Sequence, residues 1–351
     1  MKPLPVRGRG ASHNPANRFE SLAVVRDDWT DAEDPAPQTC LLRDSSRSIL
    51  VRNDSPDVPF DVSFNPYRGC EHGCIYCYAR PNHEYLGFSA GLDFETKILV
   101  KENAPELLRA ELSSSRWRPQ VIGVSGVTDP YQPAERRLRI TRRCLEVLAE
   151  FRNPVAIVTK GYLVTRDIDY LAELAEHRAV IVTLSITTLE PALHQVMEPR
   201  ASTPTRRLEA IARLAEAGIP VNVNVAPVIP GLTDHELPRI LEAAADAGAG
   251  SAAYLMLRLP HGVKSLFEDW LEQHFPDRKE KVLNRIRAIR GGKLNDARFG
   301  TRSRGEGLFA DQTAHLFQVS CRKLGLERER IALSTAAFQR PESSAQLRLF
   351  D

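Results

Sequence analysis

The sequence is organised around the stretch Cys70-Glu71-His72-Gly73-Cys74-Ile75-Tyr76-Cys77-Tyr78, which spaces three cysteines as C-x3-C-x2-C. An ordinary hydrophobic core has no use for thiols at this density, but thiolates this close in sequence can bind one small inorganic group together. Gly73 lets the backbone turn between them, because glycine adopts positive φ without steric cost. Four cysteines normally complete a four-iron cluster. The triplet therefore predicts an iron–sulfur cluster in which one iron keeps a free position for another ligand.

A structural zinc site is the alternative interpretation of the triplet, with His72 or His83 as the fourth ligand. Zinc motifs usually supply their cysteines as closely spaced pairs that are separated by a longer spacer. This triplet has no second pair beside it. The spacing therefore favours the iron–sulfur cluster.

The composition predicts a cytoplasmic protein without a membrane segment. No apolar run approaches the roughly 20 residues of a membrane span, and residues 1–10 are basic but lack the apolar core of a signal peptide. The remaining cysteines, Cys40, Cys144 and Cys321, are scattered and do not indicate a disulfide framework. A reducing compartment also disfavours a disulfide within the triplet.

The chain from residue 60 onward shows the alternation of a βα protein. Apolar Phe60, Val62 and Phe64 alternate with polar residues, as in a strand, and this strand runs directly into the cysteine stretch. Five further strands are predicted from short apolar segments, at 121–124, 155–158, 180–184, 221–225 and 252–257. Helical patterns separate them, at about 135–151, from about 167, at about 205–217 and at about 234–247. Such an alternation predicts a parallel sheet, here of six strands.

The cysteine spacing, with Tyr76 directly before the last cysteine, resembles the C-x3-C-x-aromatic-C motif of the radical S-adenosylmethionine (SAM) superfamily. The flanking residues 65–69 and 78–80 are similar to its spore photoproduct lyase-like branch, often labelled DNA repair photolyase. The resemblance implies that Cys70, Cys74 and Cys77 bind a [4Fe–4S] cluster, whose open iron is chelated by the amino and carboxylate groups of SAM. An electron, from a donor such as flavodoxin or ferredoxin, then splits SAM into methionine and a 5′-deoxyadenosyl radical that abstracts hydrogen from a substrate.

The same resemblance implies the fold, an α/β protein with a partial (β/α)6 barrel of the TIM type, which the six predicted strands match. We expect the barrel at 59–260, after an N-terminal arm at 1–58 and before a mostly helical extension at 261–338 and a flexible tail at 339–351. The arm has low hydrophobicity and mixed charge, which predicts either weak order or a wrap over the core. In barrels of this kind the chemistry lies at the C-terminal ends of the strands.

The residues after the strands are the candidates for holding SAM. Thr128 and Asp129 stand where radical SAM proteins often have a Gly-Gly-Glu-like segment that meets the SAM amino group. Lys160, after the third strand, is expected to pair with the SAM carboxylate as a point charge. Ser185, after the fourth strand, can reach the ribose or the carboxylate, and Arg200 is a weaker candidate for the same region.

An adenine pocket is predicted from a second, partial match. Ile229, Gly231 and Asp234 fit the family's G-x-I-x-G-x-x-E motif, which packs on the adenine, although a proline replaces its first glycine. Tyr76 and the backbone of 255–257 would complete the pocket.

The expected radical chemistry departs from that of the lyase at one position. Tyr76 and Tyr78 match tyrosines that the lyase family uses in radical transfer. That family also uses a cysteine, two residues before a Ser-Asp pair, as the hydrogen-atom donor, and Gly126 occupies its position here. Tyr131 is the candidate replacement donor. The substrate is therefore left open between DNA, damaged or not, another nucleic acid, and a protein, peptide or small molecule.

The charge pattern bears on a DNA partner. Residues 277–330 carry 14 Lys and Arg against seven Asp and Glu, in a chain whose net charge is only +2. Such a segment either attracts the phosphate backbone of DNA or is a solvated helical surface.

The C-terminal residues bear on a protein partner. Gln346, Leu347, Leu349 and Phe350 resemble the bacterial sliding-clamp motif Gln-Leu-x-Leu-Phe, which anchors a short peptide in an apolar pocket. The alternative is that the tail docks on its own domain. A non-catalytic metal-binding adaptor, recruited to the clamp by this tail, is the alternative to an enzyme.

Overall fold

The computed structural model describes residues 4–20, 37–326 and 332–341. The residues of the sliding-clamp motif, Gln346, Leu347, Leu349 and Phe350, lie outside the described residues. The clamp interaction therefore stays a prediction.

The described strands form two sheets. In chain order they are β1 (Cys40–Arg43), β2 (Leu50–Arg52), β3 (Val62–Phe64), β4 (Tyr67–Arg68), β5 (Lys97–Val100), β6 (Ile122–Val124), β7 (Val155–Thr159), β8 (Val180–Ile186), β9 (Val221–Val228) and β10 (Ser251–Met256). The larger sheet has the order β10-β9-β8-β7-β6-β3-β2. Its strands are parallel except β2, which pairs antiparallel with β3 at the edge. The six predicted parallel strands are therefore confirmed, and their order along the chain is that of a partial (β/α)6 barrel.

Helices occupy the connections between the parallel strands and most of the C-terminal extension. They are α1 (Leu92–Thr96), α2 (Ala104–Ser113), α3 (Glu135–Leu138), α4 (Ile140–Phe151), α5 (Ile168–Glu176), α6 (Pro191–Met197), α7 (Pro204–Glu216), α8 (Leu237–Asp246), α9 (Val263–His274), α10 (Pro276–Ala288), α11 (Thr301–Arg304) and α12 (Leu308–Leu324). Short 3-10 helices lie at Arg80–Leu86, Tyr162–Asp167 and Asp234–Glu236. Among the described helices, none combines the length and the apolar character that crossing a membrane requires.

One predicted helix is divided in two. The pattern at 135–151 is α3 followed by α4, and Arg139 between them takes a left-handed φ of 53°. The buried Glu135 carboxylate accepts hydrogen bonds from the amides of Thr141 at 3.0 Å and Arg142 at 3.3 Å. The first amides of a helix have no partner within the helix, so this carboxylate satisfies those of α4. The prediction of one continuous helix is wrong because a side chain from the preceding turn starts a new one.

The main hydrophobic core lies between the larger sheet and its helices. Strand residues such as Val182 and Leu184 share one buried cluster with helical residues such as Leu148 and Leu241. The strands are covered on the helical side and their C-terminal ends are left for polar residues.

The N-terminal arm wraps over the core in its described residues. β1 pairs with β5, and β5 pairs with β4, to form the smaller sheet. The amides of Gly10 and Ala11 donate to the Glu95 carboxylate at 3.0 and 2.8 Å, and the amide of Leu92 donates to the carbonyl of His13 at 3.2 Å. Of the two predicted states of the arm, the wrap is the one that these contacts support.

The C-terminal extension packs against the cysteine stretch. α9 and α10 contribute Trp270, Leu271 and Leu283 to a second buried cluster that also contains Cys74 and Tyr76. α12 packs against α8 on the outside of the barrel. The extension therefore supports the site as well as carrying the basic excess.

Leu148→Ala tests the main core. Leu148 is 0% exposed, so truncation leaves a cavity between α4 and the sheet. We expect the free energy of unfolding to fall by about 2–5 kcal/mol, measured by urea denaturation. Leu308→Ala is the control, because Leu308 is 69% exposed, and its change should stay within about 0.5 kcal/mol. Equal losses in the two variants would contradict the assigned core.

Candidate active site

A cavity of about 240 Å³ opens where the cysteine stretch meets the C-terminal ends of β6 to β10. All three motif cysteines line it: Cys70, Cys74 and Cys77. The strand ends contribute polar or small residues, among them Gly126, Asp129, Lys160, Ser185, Asn224 and Arg258. Residues from outside the barrel complete its wall, namely Asp57, Val58, Arg302 and Ser303. The cavity therefore combines the cysteine motif, the barrel, the arm and the extension.

The electrostatic setting of the cysteines favours a cationic group between them. Burial raises the pKa of all three thiols, and the negative charge of Asp129 adds to the effect at Cys70 and that of Glu198 at Cys74. Three thiolates in such a place are unfavourable unless positive charge compensates them. Metal ions supply that charge and deprotonate the thiols that bind them.

Arg80 holds the cysteine stretch from within the protein. Its Nε and Nη2 donate to the Cys74 carbonyl at 3.0 and 2.9 Å, and its Nη1 donates to the carbonyls of Ala90 at 3.2 Å and Gly91 at 3.0 Å. Its Nη2 also lies 2.5 Å from a carboxylate oxygen of Glu95, and both side chains are 0% exposed. A buried charge is tolerated when it is paired and hydrogen-bonded. Arg80 meets this condition while fixing the central turn of the motif.

Thr128 and Gln132 hold the other side of the cysteine stretch. The Thr128 hydroxyl donates to the Gly69 carbonyl at 2.6 Å. Buried Gln132 donates to the same carbonyl at 3.2 Å and accepts from the Glu71 amide at 2.9 Å. Thr128 therefore orients the motif and also lines the cavity, and its contact to SAM stays a prediction. Sequence reasoning missed Gln132, since a lone glutamine carries no signal of its own.

Asp129 is also engaged within the protein. One carboxylate oxygen accepts from the Thr159 hydroxyl at 2.7 Å and the other from the Lys160 amide at 2.8 Å, with His72 Nδ1 at 3.3 Å. Burial alone would raise the pKa of Asp129, but His72, Thr159 and the Lys160 amide outweigh it and lower the pKa to about 2. Asp129 thus ties the ends of β6 and β7 to the cysteine stretch.

Lys160 lies beside a buried carboxylate that the sequence analysis did not assign. Its ammonium donates to the Ala226 carbonyl at 3.1 Å and lies 3.9 Å from Glu198. Buried Glu198 also accepts hydrogen bonds from Arg207 and from the Tyr76 hydroxyl. Burial would raise the pKa of Glu198, but the charges of Arg207 and Lys160 lower it overall. Because Arg207 neutralises Glu198 directly, Lys160 remains as positive charge at the cavity wall, which suits a carboxylate ligand.

A family model of the radical SAM superfamily matches residues 64–244, more than half of the chain. The chain belongs to the radical SAM superfamily. Membership implies a [4Fe–4S] cluster and SAM as the cofactors of this radical SAM protein, as predicted. The three buried thiols and the positive Lys160 at one cavity fit both groups.

Relatives of this radical SAM protein differ in what is known of them. An uncharacterized protein of Mycobacterium tuberculosis (strain ATCC 25618 / H37Rv) is 40% identical over 222 residues, which cover 63% of this chain and 65% of that protein. The "Radical SAM Nalpha-GlyT isomerase" of Pseudomonas phage M6 is 29% identical over 173 residues, which cover 49% of this chain and 34% of that protein. The chain thus matches about two thirds of the mycobacterial relative and one third of the phage enzyme.

Solved structures of spore photoproduct lyase share the fold. The lyase complexed with dinucleoside spore photoproduct aligns with a TM-score of 0.59 and 16% identity, over 81% of this chain and 79% of that chain. A lyase mutant with bound AdoMet and dinucleoside spore photoproduct aligns with a TM-score of 0.58 and 16% identity over the same shares. At this identity the likeness is one of fold, and it confirms the predicted partial barrel.

Several predicted SAM contacts of this radical SAM protein do line the cavity. Lys160, Ser185, Tyr76 and the segment 255–257 all do so. The Tyr76 ring lies 5.8 Å from the Lys160 ammonium, and its hydroxyl is turned to Glu198 and Thr187. Asn224 is a further lining residue that sequence reasoning missed, and its buried side-chain oxygen has no hydrogen-bond partner among the described residues.

Two predicted adenine contacts lie outside the cavity. Ile229 is buried in the cluster that α9 and α10 form with Cys74 and Tyr76. Gly231, at φ 82°, faces Arg285 of α10, whose Cδ would lie 3.1 Å from an added Cβ. The partial motif thus serves the packing of the extension, because the chain leaves the cavity after β9.

Of the remaining predicted residues, two line the cavity and two do not. Tyr131 is buried in the main core and does not line the cavity, so the structure does not present it as a hydrogen donor. Arg200 also lies outside the lining and donates to Glu71 at 2.9 Å. Tyr78 lines the cavity and is 45% exposed. Gly126 lines it too, with no atom within 4 Å of an added Cβ.

His72 and His83, the candidate fourth ligands of a zinc site, make contacts with other parts of the protein. His72 lines the cavity but contacts Asp129. His83 lies outside the lining, between Phe88 and Phe94, and is 1% exposed. Across residues 4–20, 37–326 and 332–341, no group of three or more His, Cys, Asp or Glu is arranged to hold a single metal ion.

Arg80→Met tests the support of the cysteine stretch. Removing the guanidinium leaves buried Glu95 without its cation, and we expect a loss of about 3–5 kcal/mol in the free energy of unfolding. The iron bound after anaerobic reconstitution should fall as well, because the Cys74 carbonyl loses both hydrogen bonds from Arg80 and keeps, among the described residues, only that of the Cys77 amide. Urea denaturation and iron analysis measure the two effects.

The control for Arg80→Met is Arg206→Met. Arg206 pairs with Glu209 on the surface, and an exposed pair contributes about 1 kcal/mol or less. Wild-type stability and iron content in Arg80→Met would contradict the supporting role of Arg80.

His83 predicts a pH dependence of stability. Burial lowers its pKa from 6.5 to about 4, so the unfolded chain binds the proton more readily. The contribution of His83 to stability is therefore complete above pH 6.5 and is lost as the pH falls toward 4. At about 1.4 kcal/mol per pKa unit the full loss is roughly 3.5 kcal/mol, of which roughly 2–3 kcal/mol falls between pH 7 and pH 4.5. Urea denaturation of the apoprotein at pH 7 and pH 4.5 measures it.

His83→Phe keeps an aromatic ring beside Phe88 and Phe94 and removes the titration. The variant should lose less stability between pH 7 and pH 4.5 than the wild type. An identical loss in both proteins would show that His83 is not responsible.

Proposed function

We propose that this chain is a radical SAM enzyme that abstracts a hydrogen atom from a nucleic acid. The observation that carries the proposal is that Cys70, Cys74 and Cys77 line the same cavity as the C-terminal ends of β6 to β10. This is where barrels of this kind place their chemistry. We assign the three cysteines to the cluster, which supplies, when bound and reduced, the electron that cleaves SAM to methionine and the 5′-deoxyadenosyl radical.

The residues of the cavity wall have separable tasks in this proposal. Lys160 pairs with the carboxylate of SAM, and Glu198 fixes Tyr76 and Lys160 in place. Ser185 of β8 and Asn224 of β9 offer further polar side chains to the cavity. Tyr78, half-exposed in the wall, is the cysteine stretch's contact to the substrate side. Buried walls on the barrel side keep water from the reacting atoms.

Two observations support a nucleic acid as the substrate. The lyase of similar fold is complexed with a dinucleoside photoproduct. The extension carries 14 Lys and Arg against seven Asp and Glu at 277–330, and a basic segment attracts phosphates. Gly126 at the position of the lyase's cysteine supports a reaction that differs from lesion reversal in its hydrogen donor. The electron donor and the sliding clamp stay predictions.

Formation of 5′-deoxyadenosine tests the proposal. The protein is reconstituted anaerobically with iron and sulfide and reduced with dithionite in the presence of SAM. Parallel samples contain no DNA, intact DNA or ultraviolet-irradiated DNA. We expect 5′-deoxyadenosine in all samples and a higher yield with DNA; a rise with irradiated DNA alone would identify a lesion as the substrate.

Cysteine variants control this measurement. Cys70→Ala should abolish the product, because a cluster held by two thiolates is not retained. Cys40→Ala, at an exposed position in β1, should keep the wild-type yield. Equal yields with and without DNA would contradict the nucleic acid substrate, and full activity in Cys70→Ala would contradict the assignment of the cluster.

A further inference from the structure

Two arginines from separate segments meet at the mouth of the cavity. Arg258 follows β10, and Arg302 belongs to α11 in the extension; both line the cavity. Arg290 joins the two segments, since it donates to the carbonyl of Leu257 and to that of Thr301, both at 2.6 Å. These carbonyls belong to the residues just before Arg258 and Arg302. The pair is therefore held together by a third, buried arginine.

In the described part of the chain no carboxylate is bonded to the Arg258 guanidinium, although the charge of Asp57 acts on it from a distance. Its Nε is buried without a hydrogen-bond partner. The guanidinium carbon lies 5.1 Å from the centre of the Tyr78 ring, in a cation–π contact. A buried or partly buried cation without a partner is costly. Burial and the charge of Arg302 both lower the pKa of Arg258, so a bound anion would relieve both effects.

Arg302 is fixed in place by the arm. Its guanidinium donates to the Asp57 carboxylate and the Ser55 hydroxyl, and the Gly300 amide donates to Asp57 at 2.7 Å. Asp57 is the carboxylate bonded to Arg302 at this mouth, and the charges of Asp296 and Glu306 act on Arg290, which leaves Arg258 as the cation of the three without a bonded or nearby carboxylate other than Asp57 among the described residues. The positive excess is built from rigid, partly buried side chains, unlike a solvated surface patch.

We propose that Arg258 and Arg302 form a recess that binds a phosphate of the nucleic acid substrate beside Tyr78. The proposal rests on the proposed function and names the group by which the substrate is anchored. The planar guanidinium matches the oxygens of phosphate with paired hydrogen bonds. The phosphate occupies the cavity mouth, and the attached nucleoside reaches inward toward the cysteine stretch.

The carboxylate of SAM does not account for this recess. Lys160 follows β7, whereas Arg258 follows β10, three strands along the sheet. The Lys160 ammonium is held by the Ala226 carbonyl and lies 3.9 Å from Glu198, whereas the Arg258 guanidinium lies over the Tyr78 ring. Lys160 serves the cofactor side of the cavity, and Arg258 and Arg302 serve the substrate side.

A charge-neutral analogue tests the recess directly. The probes are the thymidine dinucleotide TpT and its methylphosphonate analogue, which lacks the backbone charge. Their binding to reconstituted holoprotein with SAM is measured by calorimetry. We expect the wild type to bind TpT about tenfold or more tightly than the neutral analogue, since a charge-assisted hydrogen bond is lost with the charge.

Substitutions then assign the discrimination to Arg258. Arg258→Gln should remove the preference for TpT, and Arg258→Lys should keep part of it, because it retains the charge and loses the paired geometry. Arg304→Gln is the matched control. This variant also loses one positive charge, here from α11, but Arg304 stacks on Tyr254 and does not line the cavity. The preference of the Arg304→Gln variant for TpT should therefore match that of the wild type.

Three outcomes would overturn the recess. They are equal binding of TpT and the neutral analogue by the wild type, a retained preference in Arg258→Gln, and an equal loss in Arg304→Gln. If the preference behaves as expected, a comparison of TpT with thymidine monophosphate shows whether the phosphate belongs to a polynucleotide or to a free nucleotide. Because the readout is binding, a failure here is separate from a failure to form 5′-deoxyadenosine.

Discussion

The buried ion pair of Arg80 and Glu95 is the interaction on which the site depends. Arg80 follows the cysteine triplet by three residues and turns back to bond the carbonyl of Cys74, while Glu95 bonds the amides of Gly10 and Ala11. One pair thereby joins the cysteine stretch, α1 and the N-terminal arm. The guanidinium has several fixed donors, and an apolar side chain in its place would leave the carbonyls of Ala90 and Gly91 without this donor and the Glu95 carboxylate without its cation. Removing either Arg80 or Glu95 alone would leave the other charge buried and unpaired. The turn that carries the three thiols therefore depends on both side chains.

The other buried charges of the cavity follow the same rule. Asp129 is satisfied by His72, Thr159 and the Lys160 amide, and Glu198 by Arg207 and Tyr76. Through these bonds each carboxylate holds strand ends and the cysteine stretch together. The positive charge that remains without a bonded carboxylate among the described residues lies at Lys160 on one side and at Arg258, beside the Asp57-bonded Arg302, on the other. A cofactor and a substrate that both carry negative groups suit such a distribution.

The additions to the barrel form part of the cavity wall. The strand ends and the cysteine stretch provide radical SAM chemistry, which many proteins of this superfamily have in common. The mouth is made where the arm, through Ser55 and Asp57, meets α11 of the extension through Arg302. Gly126 leaves the wall open at the position where the resemblance to the lyase predicts a thiol. A shared barrel with its own arm and extension is thus consistent with a shared reaction class and a separate substrate.

The sequence by itself determined the cysteine motif, the number and order of the parallel strands, and the family. These depend on covalent spacing and on local periodicity, which act over a few residues. It also pointed to Lys160 and Ser185, because polar residues that follow buried strands lie at one end of the sheet. Only the tertiary structure decided which polar residues face the cavity and which bond one another. Thr128 and Asp129 are drawn to Gly69 and Thr159, Ile229 and Gly231 to the extension, and Arg258 is brought beside Arg302. The partners of these residues are distant in sequence, so a local sequence pattern does not reveal them. Whether such a side chain faces the cavity or bonds another part of the protein is decided only when the strands assemble.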